Sequence, residues 1–301
     1  MSVNNFQYII IGGSTKCATT SVFAYLANHP SIASSKVKES RFFWMDEYPL
    51  KNGAYNIVDG IESYEQVFLE KTGANIRLEA TPDYLYSRDT ALAIKENLED
   101  VKLIFIVRNP IERIISWYKF AKQLNLILAT ETIEAYINQQ LNYVGNDAPQ
   151  HLRSVEQGLY GKYLKHYFEI FGKDKICVLD YEQISSNPLK AMKSIADFLK
   201  IDAAFYESYS FEVLNKSVQV KDAKSFNTYR NLRRSLRRNF KNIMPTFLKA
   251  PFQNAFKKVD NMYMERNTTN YDELILEPTM YAKLERYYEA DQVWVKSIIK
   301  H

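Results

Sequence analysis

The sequence predicts an α/β fold in which a central, mostly parallel sheet lies between two layers of helices. Short apolar runs rich in β-branched residues alternate with longer segments whose apolar residues recur at helical spacing. These short runs are almost continuously apolar, which is typical of strands buried on both faces of a parallel sheet. The chain has 301 residues, a length that one such domain often reaches, and we predict a single domain.

Composition and charge favour a cytoplasmic globular protein. The 39 basic and 35 acidic side chains give a net charge of +4, and no apolar run is long enough to span a membrane. The N-terminal sequence MSVNNFQ lacks the basic region of a signal peptide, so we expect neither a leader nor a membrane anchor. Cys17 and Cys177 lie in different predicted elements and the four histidines are scattered, which fits a reducing compartment and offers no metal-binding spacing.

The first predicted strand leads into a turn that is suited to anion binding. The run Tyr8–Ile11 ends at Gly12 and Gly13, and apolar residues at helical spacing begin at Val22. The turn leaves backbone N–H groups at the N-terminus of a helix, where these donors and the helix dipole stabilise an anion. Lys16 adds a positive charge to the turn. The alternative is an ordinary turn that binds nothing.

The turn differs from a Walker A loop but matches another phosphate-binding pattern. Walker A requires G-x-x-x-x-G-K-[ST], and here Cys17 or Ala18 takes the place of the second glycine with no lysine after it. The spacing G-x-x-K-x-x-T-T over residues 13–20 resembles the 5′-phosphosulfate loop of sulfotransferases that use 3′-phosphoadenosine 5′-phosphosulfate (PAPS). The resemblance implies a P-loop-like three-layer fold and a PAPS-binding loop formed by Lys16, Cys17, Ala18, Thr19 and Thr20.

The segment KVKESRFFW, residues 36–44, combines basic, acidic and aromatic side chains in one loop. Glu39 is a candidate general base, because burial and neighbouring charges can tune the pKa of a carboxyl group there. The alternative is a surface salt bridge beside a buried pair, Phe42 and Phe43. The order K-E-x-x-F-F resembles a segment of heparan sulfate sulfotransferases and implies that Glu39 takes the proton from the acceptor hydroxyl or amine. Arg41 stands where several of these relatives have histidine, threonine or glutamine, so we expect it to contact the acceptor.

A later strand and turn supply further candidate contacts to the acceptor. The sequence NIRLEA predicts a strand, and ligands of open α/β sheets bind at the carboxyl ends of such strands. The order E-x-[ST]-P-x-Y, which is similar to glycan-sulfating relatives, implies acceptor contacts by Thr81, Pro82 and Asp83. For Glu79 and Asp83, a contact to the acceptor and a strand-end cap are the two alternatives. Ala80 replaces a lysine of several heparan sulfate enzymes, so strict heparan specificity is not supported.

The predicted strand VKLIFIV is followed by a second candidate phosphate site. Arg108 lies at its carboxyl end, and Pro110 takes the first position of the next helix. The order R-N-P-x-x-R-x-x-S resembles the 3′-phosphate segment of the same sulfotransferases. It implies that Arg108 binds the 3′-phosphate through forked hydrogen bonds and that Ser116 donates its hydroxyl to the same group. A structural ion pair is the alternative for Arg108, and we expect Arg113 to pair with acidic neighbours.

The rest of the chain predicts core elements and one basic segment. We expect helical structure over 124–152, 158–171, 187–199 and 278–299, a shorter helix over 61–71, and a strand over 175–181. The stretch 211–250 is rich in lysine and arginine and predicts a basic cap, in which Lys224 matches a lid residue of the family. A solvated helix face, a polyanion site and a peripheral membrane contact are alternatives for this cap.

The resemblance implies a single sulfotransferase domain over residues 1–301 that moves a sulfuryl group in line from PAPS to an acceptor and releases PAP, without a metal. The acceptor is expected to be a glycan or glycolipid, with a small alcohol or phenol as alternatives. A nucleotide kinase is one rival, although the Walker lysine that it needs is missing. A non-catalytic polyanion binder built on the basic segment is the other, and nucleic acid is not the expected partner.

Overall fold

The computed structural model describes residues 6–44, 55–128, 130–143, 152–212 and 274–300, together with a few positions between 219 and 269. The chain divides into two compact units. The first comprises Met1–Ile114, Ser154–Asn215 and Thr279–His301, and the second comprises Ile115–Arg153 and Lys216–Pro278. The single-domain organisation stays a prediction.

Five strands of the first unit form one parallel sheet in the order β2-β3-β1-β4-β5. Its strands are β1 (Gln7–Gly13), β2 (Ile32–Ser34), β3 (Ile76–Ala80), β4 (Val101–Val107) and β5 (Ile176–Asp180). The α-helices whose bounds are described are α1 (Thr19–Ala27), α2 (Arg88–Asn97), α3 (Pro110–Gln123), α4 (Ile133–Leu141), α5 (Tyr160–Phe171), α6 (Tyr181–Ser186), α7 (Pro188–Leu199) and α8 (Pro278–Ile298).

Successive residues of the interior strands point to opposite faces of the sheet, and both faces are covered. Ile9 and Ile11 of β1 pack in a core with α1 and α7, while Ile10 between them packs in a second core with α2 and α5. This is why the strands are apolar throughout rather than alternating. The predicted parallel sheet between two helical layers is therefore confirmed.

The C-terminal helix α8 closes the first unit, as its apolar pattern predicts. The Asp291 carboxylate accepts from the backbone N–H groups of Gly161 and Lys162, each at 3.1 Å, and so caps the N-terminus of α5. After α8 the Lys300 N–H donates to the Val178 carbonyl at 2.9 Å, beside β5.

The sheet order brings three chain segments to one edge. β1 lies between β3 and β4, and all three strands are parallel, so their carboxyl ends are neighbours. Beyond the strands, the Ser14 N–H donates to the Ile106 carbonyl at 2.8 Å, and the Thr81 N–H donates to the Ile11 carbonyl at 3.1 Å. The segments that follow β1, β3 and β4 therefore begin side by side at this edge.

Two expected helices are shorter than the sequence pattern indicates. The helix expected over 61–71 is a 3₁₀ helix over Ile61–Val67. It ends there because the backbone of Phe68 is extended and forms a β-bridge with Ser35. Within 124–152, the described helix is α4, which begins after its N-cap residue Thr132, whose side chain accepts from the Ala135 N–H.

The second unit contains α4 and a short antiparallel pair, β6 (Gln219–Val220) and β7 (Thr268–Thr269). The Tyr118 hydroxyl donates to the Glu131 carbonyl at 2.5 Å, which ties α3 to the turn before α4. Most of the predicted basic cap, including Lys224, lies outside the described residues. Among the helices that the structure describes, none has the length and hydropathy needed to cross a membrane.

Candidate active site

The turn after β1 has the geometry of an anion-binding loop. Its backbone passes through the left-handed region at Lys16 (φ 67°) and at Ala18 (φ 59°), and Ala18 is the residue before α1. Ala18 offers no side-chain cap, and the first turn of α1 carries no acidic residue. Within the described ranges, no well-aligned hydrogen bond joins the N–H groups of residues 17–20 to an acceptor. These four predicted cofactor residues therefore present unsatisfied donors and the positive end of a helix dipole.

Close packing explains the glycines that lead into this turn. A Cβ at Gly13 would lie 2.7 Å from Leu85 Cβ, and a Cβ at Gly12 would lie 2.7 Å from the ring of Phe105. Under the turn, Ser14 Oγ and Cys17 Sγ lie 3.0 Å apart. Cys17 is fully buried and its burial raises the pKa of the thiol, so its predicted contribution to the loop is its backbone N–H.

Lys16 is half-buried within the turn, and this burial lowers the pKa of its ammonium to about 8. The charge of Arg108 lowers this pKa further, while that of Glu39 raises it. Charges influence a pKa in this way only over short distances. The structure therefore brings the predicted loop lysine, carboxylate and phosphate arginine together at the carboxyl edge of the sheet.

Glu39 lies on a turn that is fixed to the end of β3. Its N–H donates to the Ala80 carbonyl at 2.8 Å, and its φ is 64°. The carboxylate lies 2.9 Å from Lys38 Nζ and 3.4 Å from Arg41 Nη2, with 36% of the side chain exposed. The salt bridge and the buried Phe42 and Phe43 expected in the structural alternative are both present. The carboxylate nevertheless remains open to a substrate.

The predicted acceptor residues lie beside Glu39 but are buried. The Arg41 N–H donates to Thr81 Oγ1 at 3.2 Å, and Arg41 Nη2 lies 3.9 Å from Asp83 Oδ2. Arg41, Thr81, Pro82 and Asp83 are each less than a tenth exposed. Their burial favours support of the Glu39 turn, and their direct contact with an acceptor stays a prediction.

Arg108 lies where the sequence places it, directly after β4. Its Nε and Nη2 donate to Glu112 Oε2 at 3.1 and 2.9 Å, and its guanidinium lies 4.3 Å from the ring centre of Tyr181. The structural ion pair considered for Arg108 therefore exists. Because Glu112 is 48% exposed, the pair is a weak, solvent-accessible one. Ser116 lies farther along α3, in the second unit, and its predicted role stays a prediction.

Burial decides the expectation for Arg113. Arg113 does not pair with acidic neighbours, because its side chain is fully buried and Nη2 donates to the Ser154 carbonyl. In the part of the chain that the structure describes, no carboxylate lies within 4.0 Å of it. Tyr160 is also fully buried and belongs to the core.

Further residues that no sequence motif identifies also lie beside the site. Tyr86 and Tyr181 are two of them: the Tyr86 hydroxyl lies 3.4 Å from Thr15 Oγ1, and Tyr181 lies against Arg108. Each is brought to the edge by the sheet order rather than by sequence proximity.

Comparison with known proteins gives a consistent result. The family model described as a sulfotransferase domain matches residues 7–267. The chain is similar to the bifunctional heparan sulfate N-deacetylase/N-sulfotransferase 1 of Xenopus laevis, at 25% identity over 218 residues, covering 69% of this chain and 24% of that protein. It is also similar to the Homo sapiens counterpart, at 24% identity over 205 residues, covering 66% of this chain and 22% of that protein. The chain thus spans about a quarter of the length of these curated relatives.

Among solved structures, a sulfotransferase from Alicyclobacillus acidocaldarius has a similar fold. The TM-score is 0.60 at 22% identity, and the match covers 74% of this chain and 90% of that one. At this level of identity, the similarity supports the fold.

Proposed function

Because the chain belongs to the sulfotransferase domain family, we propose that it transfers a sulfuryl group from PAPS to a hydroxyl or amine of an acceptor. The family match confirms the resemblance found in the sequence and the predicted class of enzyme. The observation that carries the proposal is the convergence of the Lys16 turn, the Glu39 turn and Arg108 at one edge of the sheet.

The residues of this edge fit a nucleotide with an anionic group at each end. Unsatisfied N–H groups of residues 17–20 and the Lys16 ammonium suit the 5′ end, and Arg108 suits the 3′-phosphate. Ser116 and Lys224 are proposed to bind this nucleotide as well. When bound, PAPS supplies the sulfuryl group, which carries less charge than the γ-phosphoryl group that kinases transfer with Mg²⁺. We propose that no metal ion takes part.

Each group at the edge has a distinct part in the proposed reaction. Glu39 accepts the proton of the acceptor as the acceptor oxygen or nitrogen forms its bond to sulfur. Lys16 and the N–H groups of the turn stabilise the charge that develops on the 5′-phosphate oxygen as its bond to sulfur breaks. The products are the sulfated acceptor and PAP.

We propose a glycan or glycolipid as the acceptor. The support is the Glu39 segment and the similarity to proteins that are named heparan sulfate N-sulfotransferases. Ala80, where several heparan enzymes have lysine, argues against a strict heparan substrate. Small alcohols and phenols remain alternatives, and a cytoplasmic location stays a prediction.

Thermal unfolding of the full chain tests the donor. PAP should raise the melting temperature by an amount that grows with the logarithm of its concentration above Kd, and ATP with Mg²⁺ should not. The reverse result would favour a nucleotide kinase, and salt-dependent nucleic-acid binding that is insensitive to PAP would favour a polyanion binder. Transfer of ³⁵S from labelled PAPS to a panel of glycans, glycolipids, alcohols and phenols then identifies the acceptor.

Substitutions at the Arg108–Glu112 pair test the 3′-phosphate site. Arg108→Met should weaken PAP binding by roughly 10- to 100-fold, since it removes charge-assisted hydrogen bonds. Glu112→Gln should tighten PAP binding by about 2- to 5-fold, because the phosphate no longer displaces a carboxylate from an exposed ion pair. Neither change should alter the affinity for AMP, which lacks the 3′-phosphate. Isothermal titration calorimetry with PAP and AMP measures both, and equal losses for the two nucleotides would contradict the assignment.

A further inference from the structure

Glu79, near the end of β3, is a fully buried carboxylate held by hydroxyl groups. The hydroxyls of Thr81 and Tyr84 donate to Oε1 at 2.7 and 2.9 Å, the Ser40 hydroxyl also donates to Oε1, and the Tyr64 hydroxyl donates to Oε2 at 2.7 Å. Among the described residues, no cation lies within 4.0 Å of it. A buried carboxylate is tolerated only when hydrogen bonds of this kind replace its water.

Three of these hydroxyls also accept a hydrogen bond from the turn that carries Glu39. The Arg41 N–H donates to Thr81 Oγ1 at 3.2 Å. The next N–H, of Phe42, donates to Ser40 Oγ at 3.3 Å. The N–H after that, of Phe43, donates to Tyr84 Oη at 3.0 Å. Each hydroxyl has one proton, so donation to Glu79 leaves its lone pairs facing the N–H group. The carboxylate therefore sets the direction of all three hydroxyls.

The turn needs such support because its backbone is strained. Glu39 and Arg41 have φ values of 64° and 56°, in the left-handed region that side chains with a Cβ adopt reluctantly. One direct backbone bond, from the Glu39 N–H to the Ala80 carbonyl at 2.8 Å, holds the start of the turn. The Phe42 carbonyl accepts from the Ile57 N–H at 2.8 Å, and the hydroxyls of Thr81, Ser40 and Tyr84 hold the N–H groups of residues 41–43.

We propose that Glu79 is a positioning residue for sulfuryl transfer, which fixes the 41–43 backbone through three hydroxyls and so holds the Glu39 carboxylate at the edge of the sheet. This inference rests on the proposed function, in which Glu39 is the base. Burial and the negative charge of Glu79 keep the pKa values of Tyr64 and Tyr84 well above the usual range, so both remain hydroxyl donors.

Glu79→Gln is the informative substitution, because it keeps the shape of the side chain but removes one acceptor oxygen. Its neutral amide oxygen is a weaker acceptor than a carboxylate oxygen, so the hydrogen bonds from Ser40, Thr81 and Tyr84 weaken even when the amide NH₂ faces the Tyr64 hydroxyl, which can rotate to accept from it. Glu65→Gln is the matched control. Glu65 also accepts a tyrosine hydroxyl, from Tyr8 at 2.7 Å, and pairs with Arg77, but it has no hydrogen bond to the Glu39 turn.

Hydrogen–deuterium exchange of the full chain tests the positioning without any need for activity. In Glu79→Gln, exchange at the N–H groups of residues 41–43 should accelerate by about 10-fold, because weakening the three bonds to Oε1 is comparable in free energy to losing one net hydrogen bond. The Glu65→Gln variant should exchange there as the wild type does. Tyr84→Phe is a milder second variant, which should accelerate exchange chiefly at Phe43. Wild-type exchange in both Glu79→Gln and Tyr84→Phe would overturn the proposal.

Kinetics tests the functional consequence. The kcat of Glu79→Gln should fall by about 100-fold, as expected for a misplaced catalytic group, while its Kd for PAP stays within about 2-fold of the wild type. A purely structural role would lower the melting temperature without this separation of kcat from PAP affinity. Wild-type kcat in Glu79→Gln, with Glu39→Gln inactive, would overturn the positioning role alone. A wild-type protein that transfers no sulfuryl group would count against the proposed function, and the exchange result would still decide whether Glu79 holds the turn.

Discussion

Glu39→Gln is expected to lower the kcat of sulfuryl transfer by about 10²- to 10⁴-fold, the usual contribution of a general base. The Glu39 carboxylate contacts Lys38 and Arg41 in the same turn. The Glu39 side chain is still 36% exposed, so a substrate can reach it. An amide of the same shape keeps hydrogen-bonding capacity but does not accept the proton. PAP binding should be unchanged to within about 2-fold, because the proposed nucleotide contacts come from other segments.

Two further variants make this prediction specific. Glu39→Asp keeps a carboxylate but withdraws it by one methylene, so its kcat should fall between those of the wild type and Glu39→Gln. Glu65→Gln changes a carboxylate of the same unit that has no proposed role in transfer, and its kcat should match the wild type. Steady-state transfer of ³⁵S measures kcat, and calorimetric titration measures the affinity for PAP. Near-normal turnover of Glu39→Gln would show that another group is the base.

The fold and the three main segments of the site could be predicted because their signals are local. An apolar run, two glycines, a lysine and two threonines are contiguous in β1, the turn and α1, so one stretch specifies strand, loop and helix. The position of Arg108 at the end of a strand is likewise predictable, because it lies between a buried strand and a proline that starts a helix. Parallel strands put such ends at one edge, so the convergence follows from the fold class.

The supporting contacts could not be predicted because they join residues that are distant in the sequence. Ser40 and Tyr64 reach Glu79 from two separate segments, and only the fold makes them neighbours. The sequence leaves Glu79 as either an acceptor contact or a strand-end cap, and its complete burial favours a structural role at the end of the strand. The prediction for Arg113 is wrong for a related reason. Its hydrogen-bond partner is a backbone carbonyl, which no pattern of side chains reveals.

Lys16→Met is expected to lower the kcat by about 10²- to 10³-fold, the effect of removing one preorganised donor at a developing negative charge. The affinity for PAP should also fall, because the ammonium is the one full charge within the turn over residues 13–20. Lys16→Arg is the matched control, since it keeps the charge while changing its shape and position. A kcat of Lys16→Met close to that of the wild type would contradict the role of the turn in catalysis.

The pH dependence of PAP binding identifies the Lys16 charge itself. Burial lowers the pKa of Lys16 to about 8 in the free protein, so its ammonium is present below that pH and is lost as the pH rises through it. An anion stabilises the ammonium and raises its pKa in the complex, so PAP affinity should fall above about pH 8, by at most tenfold per pH unit. The last phosphate ionisation, near pH 6, lies outside this range.

In Lys16→Met this decline should disappear, and the affinities of variant and wild type should approach each other at high pH. In Lys16→Arg the decline should also disappear, but affinity should stay high, because arginine remains charged throughout. Calorimetric titrations with PAP from about pH 7 to pH 10 separate the three curves, since the free-protein pKa lies within that interval. If the affinity of Lys16→Met for PAP falls with pH as that of the wild type does, another group is responsible for the titration. The Lys16 ammonium would then not contribute to PAP binding.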